Sequence, residues 1–195
     1  MIGYPNQKSN MHSHQVRDNY MGRGMSLEDD LNKSNEYYLE TQRALIHKKP
    51  IPVQIVKVDY PHRSAARITE AYYKTPSTTD YNGIYRGKAI DFEAKETKSK
   101  TSFPLKNIHP HQIKHLERVL YHGGIGFVII RFSSFDETYL VDAAYMIDRY
   151  QNSDTKSIPY AQIKANASII RRGFTPRLCY LDNVDELYFK EETCK

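Results

Sequence analysis

The sequence predicts an α/β fold, and three stretches carry that expectation. IGFVIIRF (125–132) has the continuous apolar run of a strand buried on both faces. KAIDFEAKET (88–97) alternates apolar and polar residues with the period of a strand. Between them Ile113, Leu116 and Leu120 recur at helical spacing, with Pro110 suited to a first turn and Gly123-Gly124 to a stop.

From the start of the chain, residues 1–24 are polar, rich in Asn, His and Gln, and show no hydrophobic period. They are expected to form a flexible N-terminal arm, with residues 25–195 as one domain. Ser26 and Asp29 have the spacing of a capping box, and Leu27, Leu31 and Tyr38 continue as the apolar stripe of a helix. Glu28 stands at the edge of that stripe. It is either an additional acid facing a site or a dipole-favoured acid in a first turn. VQIVKVDY (53–60) and ITEAYYK (68–74) read as strands. The stretch 60–77 is too polar and tyrosine-rich for a central element, which suggests an exposed hairpin or projecting arm. TYLVD (138–142) reads as another strand and 142–151 as a helix. A short helical piece near 160–170, a loop at Gly173 to Pro176 and a last amphipathic turn over 184–189 follow.

A net charge of +5 favours a polyanionic partner, although a solvated basic surface gives the same number. Sixteen Tyr, no Trp and interspersed Lys and Arg suit base stacking and phosphate contact, and suit core edges equally. Two cysteines without CxxC or zinc-ligand spacing fit a reducing cytoplasm. No apolar run approaches the roughly 18–20 residues of a membrane span, and the first residues show no signal-peptide core. His109, His111 and His115 invite a zinc reading, but no third ligand has matching spacing. GGIG (123–126) follows a helix rather than a strand, and is no nucleotide fingerprint.

The chemistry concentrates in TPSTTDYNGIYRGKAIDFEAKETKSKTSFP (75–104). On strand 88–97, Asp91, Glu93 and Lys95 share one face and Ile90, Phe92 and Ala94 the other. With Arg86-Gly87 as a two-residue turn, Asn82 opposes Asp91 and Asp80 opposes Glu93. Asn82-Gly83 is a competing turn signal that would set another register and a much shorter first strand. Carboxylates opposed at about 5 Å repel unless a proton or cation lies between them. A hard cation such as Mg²⁺ fits, since it commonly uses one or two carboxylates with phosphate and water. Lys95, two residues beyond Glu93, can orient a nucleophile and stabilise charge on a phosphate in transit. Asp, a gap, then Glu-x-Lys is the pattern of the PD-(D/E)xK nuclease superfamily.

The segments GRGMSLEDDLN (22–32), HKKPIPVQIV (47–56), STTDYNGIYRGKAIDFEAKETKSKTSFPL (77–105) and HPHQIKHL (109–116) resemble the RecU family of Holliday junction resolvases. That resemblance implies a restriction-endonuclease-like mixed β-sheet flanked by helices, with a projecting β-stalk at about 60–77, assembled as a homodimer. It implies a Mg²⁺-dependent endonuclease, with Mn²⁺ as a substitute, that nicks paired strands of like polarity in four-way junctions during recombination and repair. Asp80, Glu93, Thr78 and Gln112 would hold the metal, and Lys95 would stabilise the transition state. Arg63 and Tyr73 on the stalk are DNA-contact candidates. Lys48, Lys49, Lys98, Lys100 and Lys106 are candidates for phosphate contact. A RecA-type recombinase is the further partner implied. Two other classes stay open: a nuclease of this superfamily acting on ordinary DNA, and a non-catalytic junction- or recombinase-binding module.

Overall fold

In chain order the described elements are α1 (Leu27–Glu40), β1 (Leu45–Lys48), β2 (Val53–Asp59), β3 (Arg67–Tyr73), β4 (Tyr81–Tyr85), β5 (Lys88–Thr97), β6 (Ser102–Pro104), α2 (Pro110–Tyr121), β7 (Ile125–Phe132), β8 (Glu137–Asp142), α3 (Ala143–Asn152), β9 (Ser157–Pro159), α4 (Tyr160–Asn166), β10 (Ser168–Ile169) and α5 (Tyr180–Tyr188). The structure is a computed structural model that describes residues 25–62, 65–74 and 78–189. The expected N-terminal arm, residues 1–24, and Arg63 lie outside the described residues.

The turn between β4 and β5 sets the register on which the site depends. Arg86 and Gly87 both take positive φ, 49° and 78°, the backbone that a two-residue hairpin connection requires. The ladder then runs Tyr85↔Lys88, Ile84↔Ala89, Asn82↔Asp91 and Tyr81↔Phe92, the expected register. Asn82-Gly83, the competing turn signal, lies inside β4. Gly83 is there for a different reason: a Cβ on it would stand 2.0 Å from the Leu45 carbonyl oxygen of β1.

The main sheet has the order β1-β4-β5-β7-β8-β10 among the described residues. β5 and β7 pair in parallel and every other pair is antiparallel. The sheet is therefore mixed, with α2 in the crossover that a parallel pair needs. One face packs Ile90, Phe92, Phe127 and Ile129 against Leu31 and Tyr38 of α1 and Tyr180, Leu181 and Val184 of α5. The other packs Val128, Ile130 and Val141 against Ile113 and Leu116 of α2 and Met146 of α3. Beneath the hairpin, Tyr81, Phe92 and Phe127 stack across three strands at centroid spacings of 4.8 and 4.7 Å, giving the sheet a stiff aromatic floor.

The expected capping box forms: Ser26 Oγ accepts from Asp29 N and Asp29 accepts from Ser26 N. The buried face of α1 is less apolar than its stripe suggested, because Asp30, Ser34 and Asn35 are buried beside Leu27, Leu31 and Tyr38. Asp30 accepts from Arg131 Nη2 of β7 at 2.6 Å and from Arg177 Nε at 3.1 Å. Ser34 Oγ accepts from Leu178 N, and the Tyr38 hydroxyl donates to the Leu178 carbonyl. A polar row one helical turn apart thus fastens α1 to the segment entering α5.

β2 and β3 form a separate two-stranded sheet whose side chains are exposed along almost its whole length. This hairpin arm starts at Val53, earlier than the 60–77 expected for the projecting element. Strands β1, β6 and β9, each three or four residues long, were not anticipated. They lie below the length at which period-two alternation can be recognised.

Candidate active site

The β4–β5 ladder ends at Tyr81↔Phe92, and the next residues outward are Asp80 and Glu93. Glu93 shares its face with Val128 of β7, the face covered by α2. The polar side of β5 is therefore turned into the layer beneath α2 rather than toward solvent, beside an apolar core. Glu93 is fully buried, and neither carboxylate oxygen has a hydrogen-bond partner among the described residues. Lys95 Nζ stands 2.6 Å from Glu93 Oε1 as an ion pair without hydrogen-bond geometry. Burial, then the neighbouring Asp80 carboxyl, push the Glu93 pKa up to about 8, against the lowering pull of Lys95. Two acids adjoin, and a single ammonium stands against the buried one.

Asp91, two residues earlier on the same face, has a different fate. Lys49 Nζ donates to its two oxygens at 2.9 and 3.2 Å, Thr79 Oγ1 donates to Oδ1, and His115 Nε2 lies 3.1 Å from Oδ2. Burial pushes its pKa up, but His115, Thr79 and Lys49 outweigh burial and hold it below the ordinary carboxylate value.

Helix α2 closes the site from above. Gln112 is buried, and its side-chain oxygen accepts from His109 N at 2.9 Å, capping the helix. A carbonyl oxygen keeps a second lone pair after one such bond, so capping and ligation are compatible. His111 is held below the ordinary imidazole value by burial, then by His109 and Lys95, which places the first turn of α2 near the Lys95 ammonium. His109 and His111 stack on each other at 5.5 Å.

Thr78 is half-buried in the segment entering β4, with its hydroxyl directed at the Thr79 carbonyl. Glu28 pairs with Lys48 and, with Asp80, Asp29 and Glu93, helps raise the pKa of the buried Tyr81 phenol, after desolvation. It therefore borders the acidic cluster, with its charge already engaged. Tyr73 is 83% exposed on β3, and Lys98 and Lys100 are exposed beyond β5. Lys49 departs from expectation. Read as a phosphate contact, it spends its ammonium on Asp91 and Thr79 instead. That hub was missed because Lys49 lies far from Asp91 in sequence, although the period of β5 had already put Asp91 on the Glu93 face.

The residues present fit a divalent cation. A buried carboxylate beside a second carboxylate, offset by a single ammonium, is a state that a bound cation relieves. Among the described residues no group of three or more His, Cys, Asp or Glu is arranged to hold a metal. Asp80 and Glu93 offer adjoining carboxylate oxygens, hard donors of the type that Mg²⁺ accepts.

The profile of the family described as Recombination protein U matches residues 22–186. The chain is 60% identical over 173 residues to the Holliday junction resolvase RecU of Geobacillus kaustophilus, covering 87% of this chain and 86% of that protein. It is 56% identical over 196 residues to the protein of the same name from Oceanobacillus iheyensis, covering 96% and 100%. The solved structure of Archaeoglobus fulgidus Hjc, a Holliday junction resolvase, matches 71% of this chain and 93% of its own, at a TM-score of 0.41 and 7% identity. That last likeness is too distant to carry an argument.

Proposed function

This chain belongs to the RecU family, and from that membership and the acid pair we propose that it is a Mg²⁺-dependent endonuclease that resolves four-way DNA junctions. The observation that carries the reading is Glu93: fully buried, without a hydrogen bond, beside Asp80 and Lys95.

In this reading Asp80 and Glu93 supply the charged metal ligands, with Thr78 and Gln112 adding neutral oxygens. When bound, the cation supplies Lewis-acid polarisation of the scissile phosphate. Lys95 faces the same phosphate and stabilises the negative charge that builds on its oxygens. The buried setting strengthens that interaction, because little water screens it. Mn²⁺, also an oxygen-liganded cation, substitutes for Mg²⁺.

Resolution requires two cuts in strands of like polarity, and a two-fold homodimer supplies two identical sites in fixed geometry. The exposed β2–β3 hairpin, with Val53, Ile55, Val56, Ile68, Tyr72 and Tyr73 unburied, supports a contact role for that arm. Lys98 and Lys100 are placed to meet phosphates, which fix register rather than read sequence. A RecA-type recombinase is the further partner. No described helix is long and apolar enough to cross a membrane.

The test is an assay of purified protein on a synthetic four-way junction and on linear duplex, each with Mg²⁺ or EDTA. Paired nicks in the junction, with Mg²⁺ only, are expected. Equal cleavage of duplex would make the chain a general nuclease. Binding without cleavage under any divalent cation would leave a junction-binding module and defeat the catalytic reading.

A further inference from the structure

We propose that Lys49 is a positioning residue: it pins the Thr78–Asp80 segment to the strand bearing Glu93 and joins both to the base of the hairpin arm. The inference rests on the junction-cleaving reading of the site.

The chain leaves the main sheet at Lys49 and runs into the arm through Pro50-Ile51-Pro52, where two prolines fix φ and stiffen the exit. The neck of the arm is closed by Lys74 N donating to the Pro52 carbonyl at 3.0 Å. On its return the chain re-enters as Thr78, Thr79 and Asp80, outside any strand or helix. At the sheet, exit and return are tied together through Lys49. Lys49 N donates to the Asp80 carbonyl at 2.7 Å, one rung beyond the last β1–β4 pair, Lys48↔Tyr81. Lys49 Nζ donates to Thr79 Oγ1 at 3.0 Å and to Asp91 Oδ2 and Oδ1 at 2.9 and 3.2 Å.

A lysine ammonium has three donors, and here three acceptors face it. With its side chain 18% exposed, Lys49 is committed to the interior. Its partners are the residue preceding Asp80 and the residue two before Glu93, so it holds in one geometry the two segments that bear the paired acids. A misplacement of about 1 Å at a reacting centre costs on the order of 100-fold in rate. That is the scale of slip available to an irregular segment that has lost the ammonium bridging Thr79 to Asp91 and keeps the direct Thr79–Asp91 bond as its side-chain tether to β5.

The test compares wild type, Lys49→Met and Lys49→Arg on a synthetic four-way junction. It reads the single-turnover cleavage rate at saturating protein and Mg²⁺, the junction affinity against salt, and the Tm. For Lys49→Met the saturated rate is expected to fall about 100-fold, with affinity and its salt dependence unchanged within about threefold. Lys49→Arg should recover part of the rate, because the charge returns in a different donor geometry. A Lys49→Met protein that cuts at the wild-type rate when saturated, even with a lowered Tm, would reduce Lys49 to a structural ion pair and overturn the proposal. So would full recovery of cleavage at higher protein concentration with a salt slope reduced by about one, the signature of a phosphate contact. Should Lys49→Met fail to fold, Thr79→Val decides, since it keeps the shape while removing the hydroxyl that accepts from Lys49 and donates to Asp91: an unchanged saturated rate overturns the proposal, and a slowed one supports it. Failure of the wild type to cut junctions at all would instead remove the functional reading itself.

Discussion

Asp91 and Glu93 share a strand, a face and deep burial, yet their surroundings treat them in opposite ways. Asp91 is met by an ammonium, a hydroxyl and an imidazole, and it stays ionised. Glu93 meets Asp80 and a single poorly aligned ammonium, and is driven toward its protonated form. Buried polar groups are normally satisfied, and of these two carboxylates Glu93 is the one left without a hydrogen bond. The contrast separates a carboxylate bound into the fold by three neighbours from one set against a second acid, the one proposed above as a metal ligand.

The largest expected effect is on catalysis. Glu93→Gln or Asp80→Asn should abolish junction cleavage while gel-shift affinity persists, and Lys95→Ala should slow the single-turnover rate by about 10²–10³. Wild-type cleavage by any of these variants would remove that residue from the site. Asp91→Ala strands the buried Lys49 ammonium and should cost about 3–5 kcal/mol in urea unfolding. Glu93→Gln should leave the metal-free protein as stable as wild type or more so. If the two variants lost equal stability, the contrast would be broken.

The two acids should also impose opposite pH trends. The folded-state pKa of Glu93 is raised, so its contribution to stability is complete below its ordinary 4.5 and is lost as pH rises through about 8. That of Asp91 is lowered, so its contribution is present above 3.8 and is lost as pH falls below it. Without divalent cations Glu93 should therefore lower the Tm as pH rises from about 4.5 to about 8, with no further fall from it above that, and Glu93→Gln should flatten the fall. Mg²⁺, which binds the ionised form, should flatten it in the wild type. A decline that persists in Glu93→Gln would assign it elsewhere. Smallest of all, Tyr73→Ala and Lys98→Ala should leave the Tm within about 0.5 kcal/mol equivalent. They should weaken junction binding, with Lys98→Ala lowering the salt slope by about one.

Much of the site was legible because strand geometry is arithmetic. Period two put Asp91, Glu93 and Lys95 on one face, and the Arg86-Gly87 turn set Asp80 against Glu93. The competing Asn82-Gly83 signal belongs to packing: β1 passes so close to β4 that residue 83 has no room for a side chain. What could not be read were charges whose partners lie far along the chain. Arg131 sits in an apolar strand and Asp30 on an apolar helix face, and only folding brings them together. Lys49 looked like one more surface cation for the same reason. Local pattern shows which face a residue takes, but not who meets it there.

Asp30 has one more implication, for how the molecule comes apart. It receives Arg131 from the central sheet and Arg177 from the segment before α5, with Arg172 at 3.7 Å. If α1 peeled away alone, it would leave the Arg131 guanidinium without its counter-ion in the interior, a heavy penalty for partial opening. Separate opening of α1 or of the segment before α5 is thereby discouraged, and the amides of α1 and of the stretch around Leu178 should exchange with solvent in one cooperative event.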